Sequence, residues 1–226
     1  MKPELIVELV YTFTALIVSV AGAYVVYIRN KGASPMYVRM VVCMLGCRFL
    51  QGFIEFLLLR SDVVMDGLSI TGVAQLAQMF FLICANYGAI DSLVDEGSRE
   101  YLKYRLIAAI VPVSILIYYL LNMGEIGKNA FDRCTILFGL IIMLIALYYH
   151  IKHLIIKDIE GGIVRSIRLY NLIGVINCVA IFVEWFTGPG TLTWYISMIL
   201  YILVTLTILP ALEHGVRKWR TYRPVK

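Results

Sequence analysis

The chain places charged and amide residues inside long apolar stretches, where each one carries a cost. The segment Cys47-Arg48-Phe49-Leu50-Gln51-Gly52-Phe53-Ile54-Glu55-Phe56 sets an Arg, a Gln and a Glu in an otherwise apolar run. At 3.6 residues per turn, Arg48, Gln51, Gly52 and Glu55 share one side of a helix, and Phe49, Leu50, Phe53 and Leu57 share the other. A charged side chain at bilayer depth costs about 2.5–3.5 kcal/mol on insertion scales, so such a stripe faces a bundle interior or a wet cavity. Three further stripes resemble it. Gln75, Gln78 and Asn86 share one side of their stretch, Tyr170, Asn177 and Glu184 recur every seven residues, and Trp194, Ser197, Tyr201 and Thr205 form a polar-aromatic face. A ligand site is therefore expected at Arg48, Gln51, Glu55, Gln78, Asn177, Glu184 and Tyr201, suited to an amine, a zwitterion or a proton-coupled solute. Two structural readings stand beside it. Amides in a span hydrogen-bond to adjacent helices. Arg48 and Glu55, two turns or ~10 Å apart along the axis, could form a charge cluster bridged by Gln51.

Other chemistry finds less support. A hydrolase needs a nucleophile with a positioned base. The three His, at 150, 153 and 214, sit at one edge, away from the buried acids, and no Ser or Cys has a His at matching depth. No catalytic residue, metal site or cofactor is expected. His150 and His153, one turn apart, are expected at a solvated interface, and Glu8, near a helix end, is expected to be solvated. The five Cys are odd in number and contain no Cys-x-x-Cys pair, so no disulfide framework or zinc site is indicated.

These stripes need elements to hold them. Of the 226 residues, 61% are hydrophobic and 15% charged, with a mean hydropathy of +0.83. Soluble domains sit nearer 45–50% apolar and about 25% charged. The expected fold is an all-α integral membrane protein, a single seven-helix transmembrane domain. Its spans run at about 5–28, 36–59, 68–93, 102–122, 131–156, 162–186 and 191–212, and residues 213–226 form a basic cytoplasmic tail. Pro112 and Pro210 are expected to bend their helices. No room remains for a nucleic-acid-binding domain.

Fifteen of the 20 Lys and Arg lie in the first, third and fifth loops and the tail, and four lie on the other side. That asymmetry puts the N-terminus outside and the C-terminus in the cytoplasm. The outward half collects Glu4, Glu8, Glu55, Asp62, Asp66, Glu125, Asp132 and Glu184. The tail should lie against anionic headgroups.

An internal match suggests a repeat. With residues 36–57 laid over 165–186, Arg39 meets Arg168, Arg48 meets Asn177, and Phe53-Ile54-Glu55-Phe56-Leu57 meets Phe182-Val183-Glu184-Trp185-Phe186. The pattern suggests a three-plus-one-plus-three arrangement of parallel repeats, as in some transporters.

Seven spans, an outside N-terminus, Glu55 late in span 2 and a basic exit from span 7 resemble the seven-helix sensor modules of bacterial signalling proteins. These serve as input domains of histidine kinases and helix-turn-helix regulators. The resemblance implies a sensor in the bacterial cytoplasmic membrane that binds a small polar or cationic ligand and acts through a cytoplasmic partner, with a homo-oligomer compatible. The sequence departs from that pattern in carrying no effector after Lys226, which makes it a stand-alone module or a sensor fragment. Microbial rhodopsins share the layout, but span 7 holds no Lys for a retinal Schiff base. Transporters of the Pro-Gln-loop kind share it too, but no Pro-Gln pair occurs. The alternative function is a small-solute transporter using Glu55 and Glu184.

Overall fold

The structure, a computed structural model, describes residues 2–31, 34–61, 70–95, 97, 99–124, 130–157 and 162–222. Among the described residues every regular element is helical. Helix α1 spans Pro3–Ala23 and continues in π geometry over Tyr24–Arg29. Helix α2 is Met36–Ser61. Helix α3, Ile70–Ile83, runs into a π segment, Cys84–Asp91. Helices α4 to α7 are Leu102–Leu121, Ala130–Ile155, Val164–Trp185 and Leu192–Tyr222.

Six of the helices, all but α3, are long and apolar enough to cross a membrane, which is the signature of a multi-pass membrane protein. Burial is inverted relative to a soluble fold. Ile17, Leu106, Ile110, Phe138, Leu172 and Leu203 point outward, while Arg48, Gln78, Asn86, Asn171, Asn177 and Thr205 are buried. A lipid-facing bundle sorts its side chains this way, because the polar groups find partners only inside.

Helices α1, α2, α3, α5, α6 and α7 close a ring in which each packs on the next and α7 returns to α1. Helix α2 also touches α7 across the ring. Helix α4 packs on α5 and leaves most of its surface exposed. The ring therefore holds three consecutive helices on each side, with α4 between them in sequence.

Small residues permit the closest approaches. A Cβ on Gly22 would sit 2.9 Å from Leu209 Cδ2, and one on Gly52 would sit 2.8 Å from the Tyr11 ring. At Gly215 the obstacle is rigid: an added Cβ would strike the carbonyl oxygen of Ser166 in the first turn of α6.

The last helix runs on beyond the expected span. Residues up to Tyr222 continue α7, so most of the expected tail is helix, and the chain stays helical through Pro210. Buried Leu212 and Val216 hold this extension on the bundle, which outweighs the one hydrogen bond that proline removes. Residues 223–226 lie outside the described residues.

Gly215→Ala should lower stability by about 1–3 kcal/mol, because the clash is with backbone. Gly124→Ala, with open space around it, should change stability by less than about 0.5 kcal/mol. Thermal melting of the two variants in the same detergent compares them.

Candidate functional site

Arg48 lies at the centre of the ring with no exposed surface. Its helix cannot satisfy its five donor hydrogens, and three neighbours accept one hydrogen bond each. Arg48 Nε donates to Gln78 Oε1 of α3 at 3.0 Å, and Nη1 donates to Thr205 Oγ1 of α7 at 3.1 Å. Nη2 donates to Asn177 Oδ1 of α6. The guanidinium carbon also lies 5.1 Å from the Tyr201 ring centroid, a cation–π contact. All four partners are neutral. Among the described residues Arg48 forms no ion pair, so the alternative of a direct Arg48–Glu55 charge pair is not what these residues show. The guanidinium points across the ring while Glu55 lies two turns along α2. The expected bridge does form in part: Gln78 Nε2 donates to Gln51 Oε1 at 2.5 Å, and Gln51 Nε2 donates to Glu55 Oε1 at 3.0 Å.

Above Arg48, toward the end that holds the N-terminus, the ring opens into a cavity of about 460 Å³. Glu8, Glu55 and Glu184 line it, with Gln75, Trp185 and Trp194. Glu184 Oε2 accepts from the Tyr201 hydroxyl at 2.6 Å and from Gln75 Nε2 at 2.9 Å. Gln75 Oε1 accepts from the Trp185 indole N–H at 2.7 Å. The Glu8 and Glu55 carboxyl groups lie near each other in the cavity wall. Among the described residues, three buried side-chain atoms lack a hydrogen-bond partner: Glu8 Oε1, Tyr11 Oη and Asn177 Nδ2. Glu8 lines the cavity, Asn177 lies beside Arg48, and the Tyr11 ring lies against Tyr201, with centroids 5.7 Å apart. Unpaired buried polar atoms are rare, and their concentration here marks a site.

A second cluster closes the opposite end. The π segment after α3 aims Asn86 and Asp91 at α5. His150 Nδ1 lies 3.0 Å from Asn171 Oδ1, and His153 lies 3.3 Å from Asn86 Oδ1 and 3.0 Å from Asp91 Oδ1. Gly174 makes room for the His150 ring, where any Cβ would overlap it. Lys152 bridges Asp91 and Asp95 at 2.6 and 2.7 Å, and Arg105 binds Asp95. The hydrogen bond from the Arg105 guanidinium, assisted by Lys152, holds the Asp95 carboxyl well below the usual carboxylate range. Both His are fully buried, which corrects the expectation of a solvated interface.

The seven expected site residues form one connected network, divided by position. Glu55 and Glu184 line the cavity, whereas Arg48, Gln51, Gln78, Asn177 and Tyr201 form the packed layer beneath it. Glu8 was expected in solvent and is 1% exposed in the cavity wall. Its signal was its place on the Glu8-Thr12-Ala15-Ser19-Gly22 stripe, a period that turns it inward. Gln75 and Trp185 also join the site. Asp62, Asp66 and Glu125 lie outside the described residues, as does the side chain of Asp132. Among the described residues no group of three His, Cys, Asp or Glu is arranged to hold a metal ion.

No family model matches this sequence, and comparisons with curated proteins and with solved structures returned no match.

Arg48→Lys should destabilise the protein by about 2–4 kcal/mol, because one ammonium cannot reach three acceptors in different directions. Denaturation of the purified protein in mixed micelles measures this. A loss under about 0.5 kcal/mol would show that the guanidinium network does not hold the ring together.

Proposed function

We propose that the chain is a seven-span sensor of receptor type, whose cavity binds a small polar ligand and whose opposite end passes the change to a partner. The carrying observation is the cavity with three carboxyl groups, one of them buried with an unpartnered oxygen, resting on a network that ties α2, α3, α6 and α7 together. A ligand that alters Glu184 alters Tyr201 and Gln75 directly, and both belong to helices that hold or flank Arg48. It shifts the balance between two packings by its difference in affinity for them.

In this reading α3 with its π segment is the seventh span. The basic end faces the cytoplasm, as the charge asymmetry supports, and the cavity opens outward. The setting is a cell membrane, and a bacterial cytoplasmic membrane fits the resemblance. The helical extension Glu213–Tyr222, carrying Arg217, Lys218 and Arg220, is the surface a cytoplasmic signalling partner would meet, and the lipid-facing helices leave room for a homo-oligomer.

One observation favours a transporter as the second reading. Arg48 and Asn177 are equivalent positions in the internal match, and they touch. Two equivalent residues that touch sit at the axis relating their repeats. Glu55 and Glu184, also equivalent, then flank that axis, as in carriers that rock one repeat against the other.

Reconstitution into liposomes separates the two. A sensor should show ligand-dependent change in trypsin cleavage at Arg217, Lys218 or Arg220 with no uptake of labelled ligand. Uptake that is lost in Glu55→Gln and Glu184→Gln would replace the sensor with the carrier.

A further inference from the structure

The cavity contains its own statement about ligand charge. It presents Glu8, Glu55 and Glu184, and among its described lining residues there is no Lys, Arg or His. The nearest intramembrane cation, Arg48, does not line it. All three guanidinium nitrogens of Arg48 are committed to Gln78, Thr205 and Asn177, and its face is covered by Tyr201. A zwitterion could place its ammonium among the carboxyl groups, but its carboxylate would enter the same acidic wall with no cation to meet it. An anion would meet only like charge, which low-dielectric walls make more costly than in water.

The rest of the wall suits an organic cation better than a metal ion. Among the described residues no three acids converge as a metal set requires. Trp185, Phe186 and Trp194 line the cavity beside the acids. The Trp185 ring is fixed by its N–H bond to Gln75. It packs over Gly139, where an added Cβ would sit 3.1 Å from the ring edge. Aromatic faces beside carboxyl oxygens are what an alkylammonium group with an apolar body uses, through charge, hydrogen bonding and cation–π contact together. The second, independent observation is Glu8 Oε1. It is buried in the wall with no hydrogen-bond partner among the described residues, so it is an acceptor left without a donor at the edge of the cavity.

We propose that the cavity selects an organic ammonium ion, a protonated amine with a small apolar body, and rejects the matching zwitterion and anion. This rests on the ligand-cavity reading above. The ammonium group can belong to a free amine or to the ethanolamine headgroup of a lipid, and both present the same chemistry to Glu8, Glu55 and Glu184.

The test uses the full chain purified in an uncharged maltoside detergent, with binding read by thermal shift and by titration calorimetry. The soluble probes are 2-phenylethylammonium, phenylalanine and 3-phenylpropanoate, which share one body and differ in charge. Phosphatidylethanolamine and phosphatidylglycerol form the lipid arm. The expected result is stabilisation by 2-phenylethylammonium, by phosphatidylethanolamine or by both, and which of these responds identifies the source. Affinity should fall about tenfold or more in Glu8→Gln and Glu184→Gln, and should be unchanged in Leu57→Ala on the lipid face. Variants are compared only after gel filtration and their unliganded melting show a folded protein. Tighter binding of phenylalanine or 3-phenylpropanoate than of the amine would overturn the ammonium assignment and leave the ligand cavity standing. Amine binding that survives both Glu variants would overturn the assignment as well. No response to any probe would remove the ammonium assignment together with the cavity reading beneath it.

Discussion

A guanidinium buried at the centre of an apolar bundle must find acceptors within the protein, and that requirement organises this fold. Arg48 takes its acceptors from α3, α6 and α7 while its own helix supplies the charge. Each bond fixes the rotation and height of one helix against α2. All the acceptors are neutral amides or a hydroxyl, so the arrangement stabilises the cation without cancelling it. The carboxyl groups of the cavity are thereby left without a basic partner among the described residues. A bundle whose Arg paired with Glu55 would have a quiet centre and no acidic cavity.

The two ends of the bundle follow different rules. At the basic end the charges are matched, with Asp91 and Asp95 against Lys152 and Arg105. The π segment of α3 and the notch at Gly174 seat two histidines among amides. At the other end, three carboxyl groups share one space with amide, hydroxyl and indole donors but, among the described lining residues, no base. Paired charges hold a structure, whereas an unpaired set lowers its energy by meeting a partner from outside. Between the two ends, α6 carries polar residues from Tyr170 and Asn171 through Asn177 to Glu184. The same helix therefore contributes side chains to both clusters.

The helical stripes were legible in the sequence because their period is fixed. Arg48, Gln51 and Glu55 on α2, Gln75, Gln78 and Asn86 on α3, and Asn177 and Glu184 on α6 could only face inward, and they do. Periodicity gives the side of a helix and leaves open which inward residue meets empty space and which meets a neighbour. Arg48 and Glu55 share a face, yet one is enclosed and the other lines a cavity. Glu8, His150 and His153 were misread for a common reason: each lies near a helix end beside charged residues, where solvation is the usual outcome. What buries them comes from other helices. Glu8 lies on α1, which packs between α2 and α7. The histidines are covered by a π segment that no sequence period announces and by a glycine on α6. The extension of α7 beyond residue 212 follows from spacing, because Leu212, Gly215 and Val216 keep the helical period that packs it down.

The central claim is that Arg48 is satisfied elsewhere and leaves the outer carboxyl groups chemically available. Modification by a hydrophobic carbodiimide, which reacts with protonated carboxyl groups in apolar surroundings, tests this directly when peptide mass spectrometry locates the adducts. The expected result is an adduct at Glu8, Glu55 or Glu184, the acids of the cavity wall, in the membrane-embedded protein. Modification confined to exposed acids such as Glu4, with Glu8, Glu55 and Glu184 all unreactive, would contradict it.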